Sequence, residues 1–301
     1  MAGTLLHITL ADAALKRVRY LEKRIAPHVD DYHLGAVVFD LPYYERLWYR
    51  AVQLLVTKEL GYSTWGQLFH LRDPSRFVRI LLQNAHTADR RAFALGVLTH
   101  LAVDLIYHPW IESRTMAIAD GSSDLNRLHK QIEDDLDRVA SMKLLGHTGI
   151  GTPYAASRLR IEPTFAYVPF FAIASGRIHG ATPSFSQFER WRTSLRRFGR
   201  LHQSPRFPWI QLKSSLPHET IDRGEQLAES AIKQTVLYLE AGMAFLEKLI
   251  DVKQFADRVP SRNLINGHKA EGARPPRGGE SQLLSQAENC VRSKNADARH
   301  K

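Results

Sequence analysis

The stretch Ala94-Leu-Gly-Val-Leu-Thr-His100-Leu-Ala-Val-Asp104-Leu-Ile-Tyr-His108-Pro109 sets two histidines and an aspartate four residues apart among mostly apolar neighbours. On a helix, four residues advance about 400° and rise about 6 Å, so His100, Asp104 and His108 share one face. The rest of the run is Leu95, Val97, Leu98, Leu101, Val103, Leu105 and Ile106, apolar nearly all round. Such a helix belongs in a core. An aspartate buried between two histidines is unfavourable unless something pairs with all three. A metal ion does so, because neutral imidazole and carboxylate are both zinc ligands.

The same signal recurs outward from this run. His129 and Glu133 repeat the spacing of four about twenty residues downstream. Upstream, Asp40 follows Gly35-Ala-Val-Val-Phe, His70 lies in Leu68-Phe-His-Leu71, and His7 lies in Leu5-Leu-His-Ile8. Five histidines and three acids among apolar neighbours read jointly as a metal site. The other histidines, His33 and His179 among them, have polar or loop surroundings and read as surface residues. A ferritin-like di-iron bundle needs Glu-x-x-His, and no glutamate here has a histidine three residues later.

The periodicity predicts an all-α chain. Expected helices run from a Thr9 cap to about Arg24, Tyr44 to Leu60, Ser75 to Gln83, Asp89 to His108, Asp124 to Leu144, Ser184 to His202 and Glu219 to Asp251. Gly35 to Pro42 reads as a loop carrying Asp40 inward, and Gly146 to Ser175 as a loop with short helical pieces. Pro109 disfavours helical geometry at the residue before it, which places His108 in a last turn. Residues 1–258 read as one multi-helix domain. From Val259 to Lys301, Asn, Gly, Pro, Arg, Lys and Ser dominate, which predicts a disordered basic tail.

With 301 residues the chain is long enough for a large core. Its single cysteine, Cys290, excludes a disulfide framework and a thiolate zinc site. Any metal is therefore held by nitrogen and oxygen. The formal charge of +10 favours polyanionic partners such as phospholipid surfaces or nucleic acid. The amino terminus has no basic region followed by an apolar run, so a cytoplasmic location is expected. No uninterrupted run of about 18 apolar residues exists, and no membrane span is expected.

The order of these residues resembles the zinc-dependent phospholipase C family of prokaryotes, whose all-α fold is shared with fungal single-strand-specific nucleases. The matching segments are His7-Ile-Thr-Leu-Ala-Asp-Ala-Ala14, Gly35 to Tyr44, Leu68-Phe-His70, Ala94 to Pro109, and His129-Lys-Gln-Ile-Glu133. They cover about residues 4 to 140, and the second half agrees only in being helical. The resemblance implies one zinc ion held by Asp40, His70, His100 and Asp104. A second would take His108, His129 and Glu133, with open positions. In the family a third ion is shared by the residues matching Asp104 and His7 and by the amine and carbonyl of an amino-terminal tryptophan. This chain departs there, since it begins Met1-Ala2-Gly3 and its first tryptophan is Trp48.

The resemblance further implies phosphodiester hydrolysis of phospholipase C type, with Asp40 orienting or deprotonating the attacking water. Expected substrates are phosphodiesters such as phospholipid headgroups, met by peripheral membrane contact, or nucleic acid. Nuclease or nucleotidase chemistry on the same site, or a metal-stabilised helical binding protein without activity, are the alternatives. Tyr43, Tyr44, Phe69, Tyr107 and Trp110 are candidates for the pocket wall.

Overall fold

The computed structural model describes residues 3–44, 64–119, 125–146, 167–202, 218–264 and 267. The helix expected over Tyr44 to Leu60 lies almost wholly outside them, as does most of the expected tail. Every regular element among the described residues is helical: α1 (Thr4–Arg17), α2 (Arg19–Ile25), α3 (Val29–Val37), α4 (Thr64–Leu71), α5 (Pro74–Gln83), α6 (Ala88–Ile118), α7 (Leu125–Ala140), α8 (Tyr167–His179), α9 (Phe185–His202), α10 (His218–Leu246) and α11 (Val252–Arg258). Short 3-10 turns cover Ala26–His28 and Leu41–Tyr44, and a π-helical turn, Ser141–Leu145, extends α7.

Helix α6 is the axis of the fold. It packs against α1, α3, α5, α7 and α10. By length and composition it could cross a membrane, with a mean hydropathy of 1.2, but 83% of that window is buried inside the protein. An apolar helix surrounded by other helices is a core element. It also runs nine residues past Pro109, beyond the expected stop at His108. Pro109 lies on the exposed side of the helix, while Tyr107, His108, Ile111 and Thr115 are buried. Packing on both sides of the proline outweighs its local preference, and solvent is at hand for the backbone acceptor it leaves free.

The expected loop Gly35 to Pro42 begins as helix, because α3 continues to Val37. Its glycine serves a close crossing with α6. A Cβ on Gly35 would lie 2.1 Å from the Phe93 carbonyl oxygen, and one on Gly96 would lie 2.0 Å from that of Tyr32. The two backbones meet only because both positions lack a side chain. Likewise α8 is a full helix within the region expected to be loop, and it buries Phe170 and Phe171.

The first helical stretch is divided at Val18, whose backbone is non-helical (φ −112°, ψ 72°). Helix α1 has no cap from its own flank. Asp137 of α7 supplies one, accepting the Leu6 N–H. Its Oδ2 sits 1.5 Å from where a Gly3 Cβ would be.

Behind the centre lies a wall of rings. Phe39 and Phe69 stack at 5.4 Å, and Phe77 meets both edge-on at 5.3 and 5.8 Å. Buried rings of this kind contribute on the order of 1.5–3 kcal/mol each. Phe69 and Tyr107 are thus core residues rather than pocket wall. Packing also runs past the boundary expected at 258: Val259, Asn263 and Leu264 are buried. Leu264 N–H donates to the His70 carbonyl at 3.0 Å, and the Ser75 hydroxyl donates to the Pro260 carbonyl at 2.8 Å. The apolar residues Val259 and Leu264 give this segment enough buried surface to order it.

Candidate metal centre

The eight side chains singled out by spacing and by apolar neighbours converge in space. Helix α1 brings His7, the turn after α3 brings Asp40, α4 brings His70, α6 brings His100, Asp104 and His108, and α7 brings His129 and Glu133. Three sets have ligand atoms close enough for one ion each: Asp40 with His70 and His100, His7 with His100 and Asp104, and His108 with His129 and Glu133.

Asp104 is the hub. Its Oδ2 lies 3.1 Å from His100 Nε2 and 3.3 Å from His70 Nε2. Its Oδ1 lies 3.2 Å from His7 Nε2 and 3.4 Å from His108 Nε2. Asp40 faces His7 at 3.6 Å and His70 at 3.5 Å. The His7 ring stacks on that of His100, centroids 4.0 Å apart, and Phe39 closes the back of His100 edge-on at 5.3 Å.

Hydrogen bonding fixes the ring tautomers. His70 Nδ1 donates to the Gly66 carbonyl at 2.7 Å, and His100 Nδ1 donates to the Ala36 carbonyl at 2.9 Å. With each Nδ1 engaged there, both rings turn Nε2 into the centre, the two atoms 3.3 Å apart. Both carboxylate oxygens of Asp40 and of Asp104, and both ring nitrogens of His7 and His108, are buried without a hydrogen-bond partner. Such a cluster of converging acceptors is repulsive unless a cation occupies its middle. Imidazole nitrogens and carboxylate oxygens, with the other ring nitrogen bonded to a carbonyl, fit zinc in donor type and in supporting contacts.

Electrostatics agree. Burial pushes the Asp104 carboxyl up, but His100, His108 and His7 together outweigh it and hold it well below the usual range. Burial lowers His108 to about 4 despite Asp104. It lowers His7 as well, with His100 adding to the effect. Burial also lowers His70, yet Asp104 and Asp40 outweigh it and push it up to about 9. In the metal-free protein His70 therefore carries the positive charge that two buried carboxylates require, and a metal ion displaces its proton.

Spacing did not single out Glu112 or Asp137. Glu112 Oε1 lies 3.3 Å from His129 Nδ1, opposite the Nε2 that meets Glu133 at 3.0 Å. Asp137 is buried on α7 one turn beyond Glu133. Both continue the spacing of four, as His108-Glu112 and as Glu133-Asp137, so the signal was there to extend. Two expected surface histidines are in fact inside. His33 is buried and bonded to Asp12 at 2.6 Å. His179 stacks on Phe77, and burial together with Arg72 lowers it to about 4. Neither joins the centre. Tyr43 sits beside His70, ring centroids 5.7 Å apart, and Trp110 and Tyr44 pack against the core from partly exposed positions.

Comparison with curated proteins and with solved structures returns no match. The zinc dependent phospholipase C family matches residues 6–169, more than half of the chain. That span contains all eight converging side chains, and on this match the chain belongs to the zinc-dependent phospholipase C family.

Proposed function

We propose that this chain is a zinc-dependent phosphodiester hydrolase acting on the headgroup phosphodiester of a phospholipid. The carrying observation is the convergence of buried acceptors, arranged as two groups joined by Asp104. In this reading Asp40, His70, His100 and Asp104 hold one ion, and His108, His129 and Glu133 hold a second with positions open to substrate. His7 with His100 and Asp104 offers a third set. Bound zinc supplies acidified water and polarised phosphoryl oxygens at neutral pH.

The chain's own groups do the rest. Burial raises the Asp40 carboxyl, but His100, His70 and His7 outweigh that and hold it below its ordinary value. It is ionised at neutral pH, and its Oδ atoms accept a proton from water. Family membership favours phospholipid over nucleic acid, and the net charge of +10 suits either polyanion.

The test is an assay of purified protein against phosphatidylcholine, single-stranded DNA and a generic phosphodiester, with and without chelator. At least two zinc equivalents and chelator-sensitive release of a phosphorylated headgroup are expected. Asp40→Asn should keep at least one zinc, because His108, His129 and Glu133 are untouched, and lose about 10²–10⁴ in rate. Full zinc loading with no hydrolysis of any substrate would favour the metal-stabilised binding protein, and cleavage of DNA alone would favour the nuclease.

A further inference from the structure

We infer that Glu112 is a positioning residue for His129, holding the tautomer and the ring orientation that present Nε2 to the second ion position. The inference rests on the reading of His108, His129 and Glu133 as a zinc site. It starts from a difference between the histidines. His70 and His100 anchor Nδ1 on backbone carbonyls at 2.7 and 2.9 Å. His129 stands in the second turn of α7. Its Nδ1 is met instead by a carboxylate from the adjacent helix, Glu112 Oε1 at 3.3 Å.

The placement is directional. Nε2 of the same ring faces Glu133 Oε1 at 3.0 Å, and the ring stacks on His108 at 5.7 Å. The imidazole is thus held between two carboxylates with different surroundings. The Glu133 side chain is 1% exposed and that of Glu112 38% exposed. Only the buried one lies with His108 inside a set compact enough to hold an ion. The outer carboxylate accepts a hydrogen bond from Nδ1–H, which favours the tautomer with a lone pair on Nε2 over the one that donates Nε2–H to Glu133, and raises the basicity of Nε2 as a ligand. Glu112 lies four residues after His108, so α6 supplies both a donor to the group and the brace for its partner.

The experiment compares wild type, Glu112→Gln and Glu112→Ala. Two measurements are made: ¹⁵N shifts of His129 in zinc-free protein, and zinc affinity by competition with a chromophoric chelator. Wild type should show the Nδ1-protonated form of His129 in balance with the form that donates Nε2–H to Glu133. Glu112→Ala should shift it towards the Nε2-protonated form and weaken the second equivalent about 10–100-fold, the range for supporting carboxylates. At saturating zinc it should still bind both equivalents. Glu112→Gln, which keeps an acceptor oxygen, should recover most of the affinity and the Nδ1 tautomer. Unchanged affinity and tautomer in Glu112→Ala overturn the inference. Loss of an equivalent at saturating zinc in both variants also overturns it, since Glu112 would then be a ligand itself. If wild type takes up no second equivalent, the zinc reading of this group fails, and a metal-free tautomer that ignores the variants overturns the Glu112 contact separately.

Discussion

The two halves of the centre are built differently. The inner group draws His7, Asp40, His70, His100 and Asp104 from α1, the turn after α3, α4 and α6, and every one of these side chains is buried. The outer group stands on two neighbouring helices, and its His129 side chain is 19% exposed. Of the inner imidazoles, His70 and His100 are fixed by backbone carbonyls, whereas the outer His129 leans on a half-exposed carboxylate. A site assembled from four separate elements links metal binding to folding, because the elements come together only in the native state. A site on adjacent helix faces with access to solvent leaves room for a substrate. On the proposed zinc reading, the inner group is expected to weigh more on stability and the outer one on turnover, Asp40 excepted.

Asp104→Asn is the harshest trial of that division. It keeps the volume and removes the charge that four histidines share. Zinc should be lost from the inner group together with activity. Losing an ion present at a thousandfold over its Kd forfeits about 4 kcal/mol, on the order of 10 °C in melting temperature for a chain of this size. Calorimetry with zinc quantitation checks it, and a variant that melts like wild type would erase the division.

His129→Ala should separate the halves in the other direction. One zinc equivalent should remain, hydrolysis should fall at least about 100-fold, and melting should move by only a few degrees. Elemental analysis beside a melting curve decides; a melting shift as large as that of Asp104→Asn would make the outer group structural too.

Asp137→Asn sharpens the comparison with the smallest effect. Burial, and after it Asp134 and Asp40, push Asp137 up to about 7, although Lys130 and the Leu6 N–H oppose this. Its folded pKa lies above the unfolded value near 3.8. The folded state therefore holds the extra proton between these values, and wild type loses stability as pH rises through them. The Asn side chain still accepts the Leu6 N–H and carries no charge. The variant should gain on the order of 1–2 kcal/mol over wild type at pH 8 and nothing near pH 4, since a pK unit is worth about 1.4 kcal/mol. Denaturant titrations at the two pH values measure the difference.

Much of this centre could be read from spacing. His100, Asp104 and His108 at intervals of four on an apolar run yield one buried face, and His129 with Glu133 yields its neighbour. What spacing could not supply was where helices stop. Pro109 looked like an end, and packing of Tyr107, Ile111 and Thr115 carried α6 through it. Gly35 looked like a loop residue, yet it marks where α3 presses on Gly96. Burial of His33 depends on Asp12, a partner 21 residues away that no local pattern reveals. Glu112 and Asp137 extend the same spacing of four, from His108 and from Glu133, but neither has the apolar neighbours on both sides that marked His7, Asp40, His70 and Asp104.

The segment after α11 gives the centre a timetable. Leu264 donates to the carbonyl of His70, and Ser261 and Pro260 tie the same stretch to Asp73 and Ser75 at the junction of α4 and α5. A chain growing from its amino terminus has made all eight converging side chains by residue 133. It has not made the strap that clasps His70 until some 130 residues later, after α10 has formed against α6. The candidate ligands are thus all synthesised well before the segment that holds the His70 backbone exists.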